Sequence, residues 1–180
     1  MKKLLFVFLT LAVVLPGIIP LWGQTPAGQD DDALYAKDMI KVGEAFPTVS
    51  FGTALDGRVL SVKDFAGKYL VLDFWATWCP DCRKDVPALV EAYKRFASDK
   101  VVFVGISWDQ DRERLEKFMA DNGITWTQVC DFKPRTEITT GKTFRVKWIP
   151  SIYIIGPDGK VLLGTVMLDK VVALLDYLNI

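Results

Sequence analysis

The chain has 180 residues, 51% of them apolar, with 22 basic and 22 acidic side chains and no histidine. That length suits one domain with a proper core, and so high an apolar fraction argues against disorder. Balanced charge leaves no basic field for nucleic acid or anionic lipid, and the missing histidine excludes a Ser/His/Asp triad, a Cys/His nucleophile pair and a His-ligated metal.

In chain order, Lys2 and Lys3 precede an uncharged apolar run at 4–15, broken by Pro16, Gly17 and Pro20 before Gly23-Gln24. This is the pattern of an export signal over residues 1–23. The competing reading is an uncleaved membrane anchor at 4–22, although two prolines and a glycine make a poor spanning helix. Export would put the domain where disulfides persist. No cysteine lies in this region, so a lipid anchor is not supported. Residues 24–40 are polar and read as a flexible lead-in, with Asp30-Asp31-Asp32 as a solvated linker or an acidic interaction site.

From residue 41 the pattern becomes that of a folded domain. Segments 48–54 and 58–62 flank Asp56-Gly57, a hairpin signal. A connector at 63–68 leads to a nearly continuous apolar strand at 69–76, as a strand covered on both faces requires. A helix is expected over 83–99, with Val86, Leu89, Val90, Tyr93 and Phe96 on its buried face and a kink at Pro87. A second apolar strand follows at 101–108. Asp109 is expected to cap a helix at 111–122 that ends on Gly123. A short strand at 125–129 precedes an irregular or helical stretch to 144, a second hairpin over 151–155 and 160–165, and a last helix at 168–178. This is an α/β layout with a central mixed sheet flanked by helices and an N-terminal β-hairpin.

Trp78-Cys79-Pro80-Asp81-Cys82 stands between the first apolar strand and the first helix. Two cysteines so spaced can form a disulfide, bind a metal or sit idle. A thiolate at a helix N-terminus meets unpaired N–H groups and the positive end of the macrodipole, which makes it reactive. Pro80 at the first helical position suits that end, having no N–H to leave unpaired. A four-residue disulfide loop adds only about 2 kcal/mol by chain entropy, which a domain of this size does not need. Structural zinc wants four ligands, and one further cysteine, Cys130, is all the chain offers.

The run Asp73-Phe74-Trp75-Ala76-Thr77-Trp78-Cys79-Pro80-Asp81-Cys82 resembles the active-site segment of thioredoxin-fold proteins. Val42-Gly43, Phe46-Pro47, Asp56-Gly57 and Phe65-Ala66-Gly67-Lys68 resemble the lead-in of the TlpA/ResA-like branch. Trp148-Ile149-Pro150-Ser151 and Gly156-Pro157-Asp158-Gly159-Lys160 are similar to its cis-proline segment and hairpin. The resemblance covers roughly residues 41–180. It implies a thioredoxin-like fold and a redox-active Cys79–Cys82 disulfide. Cys79, exposed at the helix start, attacks and Cys82 resolves the mixed disulfide. Asp73 is implied to assist deprotonation of Cys82, and Asp85 takes the place of a glutamate that the branch carries near its site. Pro150 is implied to be cis, with Ile149 offering backbone groups to a substrate strand. Trp78, Pro80 and Asp81 complete the substrate-binding set.

Several readings stay open. Asp73 is buried or reaches solvent at the strand edge; Pro150 is cis or an ordinary loop proline; Asp85 is functional or a solvated helix carboxylate; Cys130 is a third redox thiol or a buried core cysteine. The sequence also departs from the branch, whose members commonly place proline directly before the second cysteine. Here Asp81 stands there, and its charge should raise the Cys79 pKa and make the pair more reducing, against Arg83 and Lys84.

The leading expectation is an exported thiol–disulfide oxidoreductase, periplasmic or otherwise extracytoplasmic, acting as a reductase without a cofactor. Its partners would be cysteine-containing exported proteins, apocytochrome c among them, and a membrane thiol–disulfide electron donor. Membrane contact is expected only through an uncleaved N-terminus. The alternatives are a thiol peroxidase of the AhpC/TSA type, for which Ala76 replaces the threonine expected three residues before the cysteine, and a metal-delivery module on the same fold.

Overall fold

The structure, a computed structural model, describes residues 30–180. The expected signal segment, 1–23, lies outside the described residues. Asp56-Gly57 turns the chain as expected, and β1 (Ser50–Thr53) pairs antiparallel with β2 (Val59–Ser61). Gly57 has φ 90°, a left-handed conformation that a Cβ would strain. A reciprocal capping box between Ser61 and Asp64 then shapes a 3₁₀ turn, Val62–Phe65, that delivers the chain to β3 (Tyr69–Trp75).

The remaining strands and α-helices are α1 (Pro80–Phe96), β4 (Val101–Ser107), α2 (Arg112–Asn122), β5 (Thr127–Val129), α3 (Thr140–Thr143), β6 (Ser151–Ile155), β7 (Val161–Thr165) and α4 (Leu168–Leu178). The five-stranded sheet runs β5-β4-β3-β6-β7. β3 is parallel to β4, and β4 to β5, while β3–β6 and β6–β7 are antiparallel. The expected mixed sheet with an N-terminal hairpin is therefore present. β3 is central, which explains its apolar run: every residue from Leu70 to Trp75 is buried.

Successive β3 side chains face opposite ways. Phe74 packs into an aromatic cluster with Phe144 and Tyr153, to which the lead-in contributes Phe46, stacked on Phe144 at 5.1 Å. Trp75 donates its indole N–H to Gln128 Oε1 at 2.9 Å, and Gly105 is what admits that glutamine, since a Cβ there would lie 2.1 Å from the same oxygen. α1 and α4 are joined by an Arg95–Asp176 ion pair.

Three expectations need correction. Asp109 does not cap α2; Asp111 does, its Oδ1 accepting from Arg114 N at 3.1 Å. α1 spans Pro80–Phe96 rather than 83–99; Cys79 is its N-cap and Pro80 its first residue, as the cysteine motif implied, and Pro87 lies inside it with its ring exposed. The lead-in is not free as far as residue 40. Asp32 accepts from Thr165 Oγ1 and Val166 N at 2.8 Å and from Lys170 Nζ at 2.7 Å, while Ala36, Met39 and Ile40 are buried. Burial pushes the Asp32 carboxyl up, but these donors outweigh it and hold it below the usual range. These contacts dock the segment on the domain.

That docking has a keystone in Tyr153, whose buried hydroxyl accepts from Ile40 N at 2.9 Å and donates to Phe144 O at 2.8 Å. Burial pushes its phenol up to about 12. Tyr153→Phe strands the Ile40 N–H and is expected to cost about 1–3 kcal/mol. Thermal denaturation should show the midpoint several degrees lower, while the Tyr153 side-chain volume is nearly kept.

Candidate active site

The loop between β3 and α1 carries the cysteine pair. Cys79 and Cys82 are joined in a disulfide with their Cα atoms 5.3 Å apart. Cys79 has extended backbone and caps α1, its Sγ accepting from Cys82 N at 3.2 Å. An N–H directed at this sulfur stabilises it as a thiolate when the bond opens. The Ile149 carbonyl oxygen lies 3.6 Å from the same sulfur. In the disulfide this is a contact, since the sulfur has no proton; in the dithiol, the Cys79 S–H is placed to donate. The Ile149–Pro150 peptide is cis, and both residues are buried.

Cys79 is only 4% exposed, which corrects the expectation of an open thiol. The sulfur is covered because the cis-proline segment closes over it and Cys82 shares its remaining side. Exposed surface belongs instead to Trp78, Pro80 and Asp81 on the sequence either side of Cys79. Asp81 forms an exposed ion pair with Lys84 at 2.9 Å.

Beneath the disulfide, Asp73, Cys82, Asp85 and Pro150 line one cavity of about 10 Å³. That is close to the smallest space able to hold one water. Asp73 is buried on β3 between Gly105 and Ile152 of the neighbouring strands, so the solvent-edge alternative does not hold. Burial, then the charge of Asp85, push its carboxyl up to about 8. Asp85 is half-buried, and burial followed by the Asp81 charge push it up as well. A group with a pKa near neutrality, sharing a cavity with Cys82, is equipped to exchange a proton with it.

A second polar set was not foreseen from sequence. Asp109, buried at the end of β4, accepts from Thr77 N at 2.9 Å, Thr77 Oγ1 at 2.6 Å and Ser107 Oγ at 2.8 Å. It thereby holds the loop two residues before Cys79. The available signal was the polar pair Ser107 and Asp109 at the carboxyl end of an apolar strand, where α/β sheets carry their sites. Cys130 is buried, donates its S–H to the Asp109 carbonyl at 3.2 Å, and has its thiol pushed up by burial. These properties agree with a core thiol rather than a third redox partner.

A disulfide opening a helix on the central strand of this sheet, faced by a cis-proline, defines a thiol–disulfide oxidoreductase of thioredoxin fold. The chain belongs to the AhpC/TSA family, whose sequence pattern matches residues 42–163. It is 30% identical over 128 residues to the thiol-disulfide oxidoreductase ResA of Bacillus subtilis (strain 168), a match spanning 69% of this chain and 68% of that one. Among solved structures, the thioredoxin domain of a thiol-disulfide oxidoreductase from Bacteroides vulgatus superposes with a TM-score of 0.68 at 26% identity, covering 77% of this chain and 98% of the other. A thiol-disulfide oxidoreductase from Bacteroides fragilis gives 0.67 at 29% identity, with 75% and 99% covered.

Proposed function

We propose that this oxidoreductase is an exported reductase of protein disulfides, with Cys79 as nucleophile and Cys82 as resolving thiol. The observation that carries the direction is the set of acidic groups placed at the pair: Asp81 directly before Cys82, and Asp85 and Asp73 lining one cavity with it. Both cavity carboxyls are raised first by burial and then by like charge, from Asp81 on Asp85 and from Asp85 on Asp73. Negative charge here opposes the Cys79 thiolate. A less stabilised dithiol makes a more reducing couple.

In the dithiol state, Cys79 thiolate attacks a target disulfide, forming a mixed disulfide and releasing one target thiolate. Cys82 gives its proton to Asp73, in the molecules in which that carboxyl is ionised, and attacks Cys79 Sγ. The second target thiolate leaves and takes up a proton, so two electrons pass to the target and the Cys79–Cys82 disulfide is formed. Ile149 and Pro150 receive the target chain, with Trp78, Pro80 and Asp81 at the rim. A membrane thiol–disulfide donor restores the dithiol, and the substrates are cysteine-containing exported proteins, with apocytochrome c as one instance. The charged start, apolar run and break in residues 1–23 support an extracytoplasmic, periplasmic location.

Equilibration with a thiol redox buffer is expected to return a reduction potential near that of thioredoxin, about −270 mV, whereas a value near that of DsbA, about −120 mV, would overturn the direction. The family match also favours a peroxidase reading. Against it, Ala76 stands three residues before Cys79. Peroxide consumption by the reduced protein faster than its reduction of a protein disulfide would decide for that second reading.

A further inference from the structure

The segment before the domain reaches the substrate side of the active site. Its Tyr35 ring stacks on Trp148, with centroids 4.8 Å apart and planes 28° apart. Three residues on, Asp38 Oδ2 pairs with Lys147 Nζ at 2.9 Å. Two residues of the segment thus clasp two adjacent residues, Lys147 and Trp148, immediately before Ile149. The clasp is anchored at one end by Asp32 on Thr165, Val166 and Lys170, and at the other by Ile40 on the Tyr153 hydroxyl.

The clasped indole remains 45% exposed although it sits one residue from the carbonyl that faces Cys79 Sγ. Trp78, one residue from Cys79 on the opposing loop, is 38% exposed. Two half-open indoles thus stand one residue in sequence from the two atoms that meet at 3.6 Å, on the two loops between which a substrate chain must enter. An indole left on a loop would sample several rotamers. Stacking on Tyr35 holds one, and Tyr35 is itself held by the anchors on either side.

We propose that Tyr35 and Asp38 are positioning residues that set specificity for polypeptide substrates. The occupant is an extended chain bearing an apolar or aromatic side chain beside its cystine, which lies against the Trp148 face that Tyr35 holds in place. The inference rests on the reading of the protein as a reductase of polypeptide disulfides. A small disulfide such as oxidised glutathione reaches Cys79 without using this wall.

The test compares insulin, a cystine peptide with phenylalanine beside the disulfide, its alanine counterpart and oxidised glutathione, with dithiothreitol supplying the electrons. Tyr35→Ala is expected to raise KM for insulin and for the phenylalanine peptide about threefold to tenfold, the range an aromatic pair is worth. With kcat within twofold, the preference for phenylalanine over alanine should shrink, and turnover of oxidised glutathione should be unchanged. Tyr35→Phe should keep wild-type values. Asp38→Lys and Lys147→Asp should each raise the insulin KM, and the double variant should restore it. An unchanged insulin KM in Tyr35→Ala, or an equal loss on oxidised glutathione, would overturn the proposal. Inactivity of the wild-type protein on insulin and both peptides would instead overturn the underlying reading of the substrate class. Circular dichroism on each variant ensures that a raised KM is read only from folded protein.

Discussion

Cys79→Ser is expected to reduce protein-disulfide turnover to the uncatalysed background, whereas Cys82→Ser should still react once and then stop. The difference follows from geometry. Cys79 Sγ caps α1, receives the Cys82 amide at 3.2 Å and faces the cis-proline segment where a target arrives. A serine hydroxyl there is a far weaker nucleophile at neutral pH than a thiol activated by a helix N-terminus. Burial does not separate the two sulfurs, but Cys79 Sγ is the sulfur beside the Ile149 carbonyl, whereas Cys82 lies one turn into the helix, bonded to Cys79 and lining the cavity with Asp73. Without its thiol the mixed disulfide on Cys79 cannot be resolved internally and should accumulate stoichiometrically. Non-reducing electrophoresis and mass spectrometry would detect that species. Its absence from Cys82→Ser, or its formation on Cys82 in a Cys79→Ser protein, would reverse the assigned roles. Cys130→Ser gives the control: a buried thiol bonded to a main-chain carbonyl should be dispensable for turnover.

Asp73→Asn is expected to change both the pH dependence of stability and the rate of resolution. The folded carboxyl titrates at about 8, far above the roughly 3.9 of an unfolded chain, because β3 buries it and Asp85 adds like charge. The fold therefore accommodates the protonated form. The contribution to stability is fully present below pH 4 and is lost progressively as pH rises through 8. Four pH units correspond to on the order of 5 kcal/mol as an upper figure. Asparagine cannot ionise, so the oxidised variant should lose much less stability between pH 5 and pH 9. At pH 9 its melting temperature should exceed that of the wild type by roughly 10 °C. Parallel melting-temperature profiles for the two proteins would show that Asp73 is not the group responsible. Function should move the other way. With no base beside Cys82, decay of the mixed disulfide should slow by about tenfold or more above pH 8, where the wild-type carboxyl is ionised, within the range of general base catalysis. Stopped-flow measurement of that single step separates the proton transfer from substrate binding. A decay rate equal to that of the wild type would remove Asp73 from the mechanism while leaving its effect on stability intact.

Asp73 also illustrates how far the sequence could be read. A carboxylate in the middle of an apolar run is visible without coordinates, and so is its place before a cysteine pair. Whether it lies in the sheet or at a strand edge depends on the partners of β3, and those come from Val101–Ser107 and Ser151–Ile155, the latter some 80 residues away. Asp109 shows the opposite error. Its position before a helix suggested a cap, yet Asp111 took that task and left Asp109 free to hold Thr77. Local capping preference cannot rank two aspartates that differ only in what the tertiary structure puts beside them. The acidic lead-in failed for the same reason: composition counted its charges, but Met39, Ile40 and the Tyr153 hydroxyl decided where it rests.

What the sequence determined by itself is the local chemistry. The Asp-Gly hairpin turn, the Gly123 stop of α2, the buried faces of β3 and α1, and a cysteine pair at a helix start all follow from a few neighbouring residues, because backbone preference and side-chain periodicity act over that range. The tertiary structure alone decided the near-closure of Cys79, the raised carboxyl of Asp73 and the clasp of Tyr35 and Asp38 on Trp148 and Lys147. Burial, charge coupling and long-range contact are properties of what the fold brings together, and distance along the chain carries no record of them.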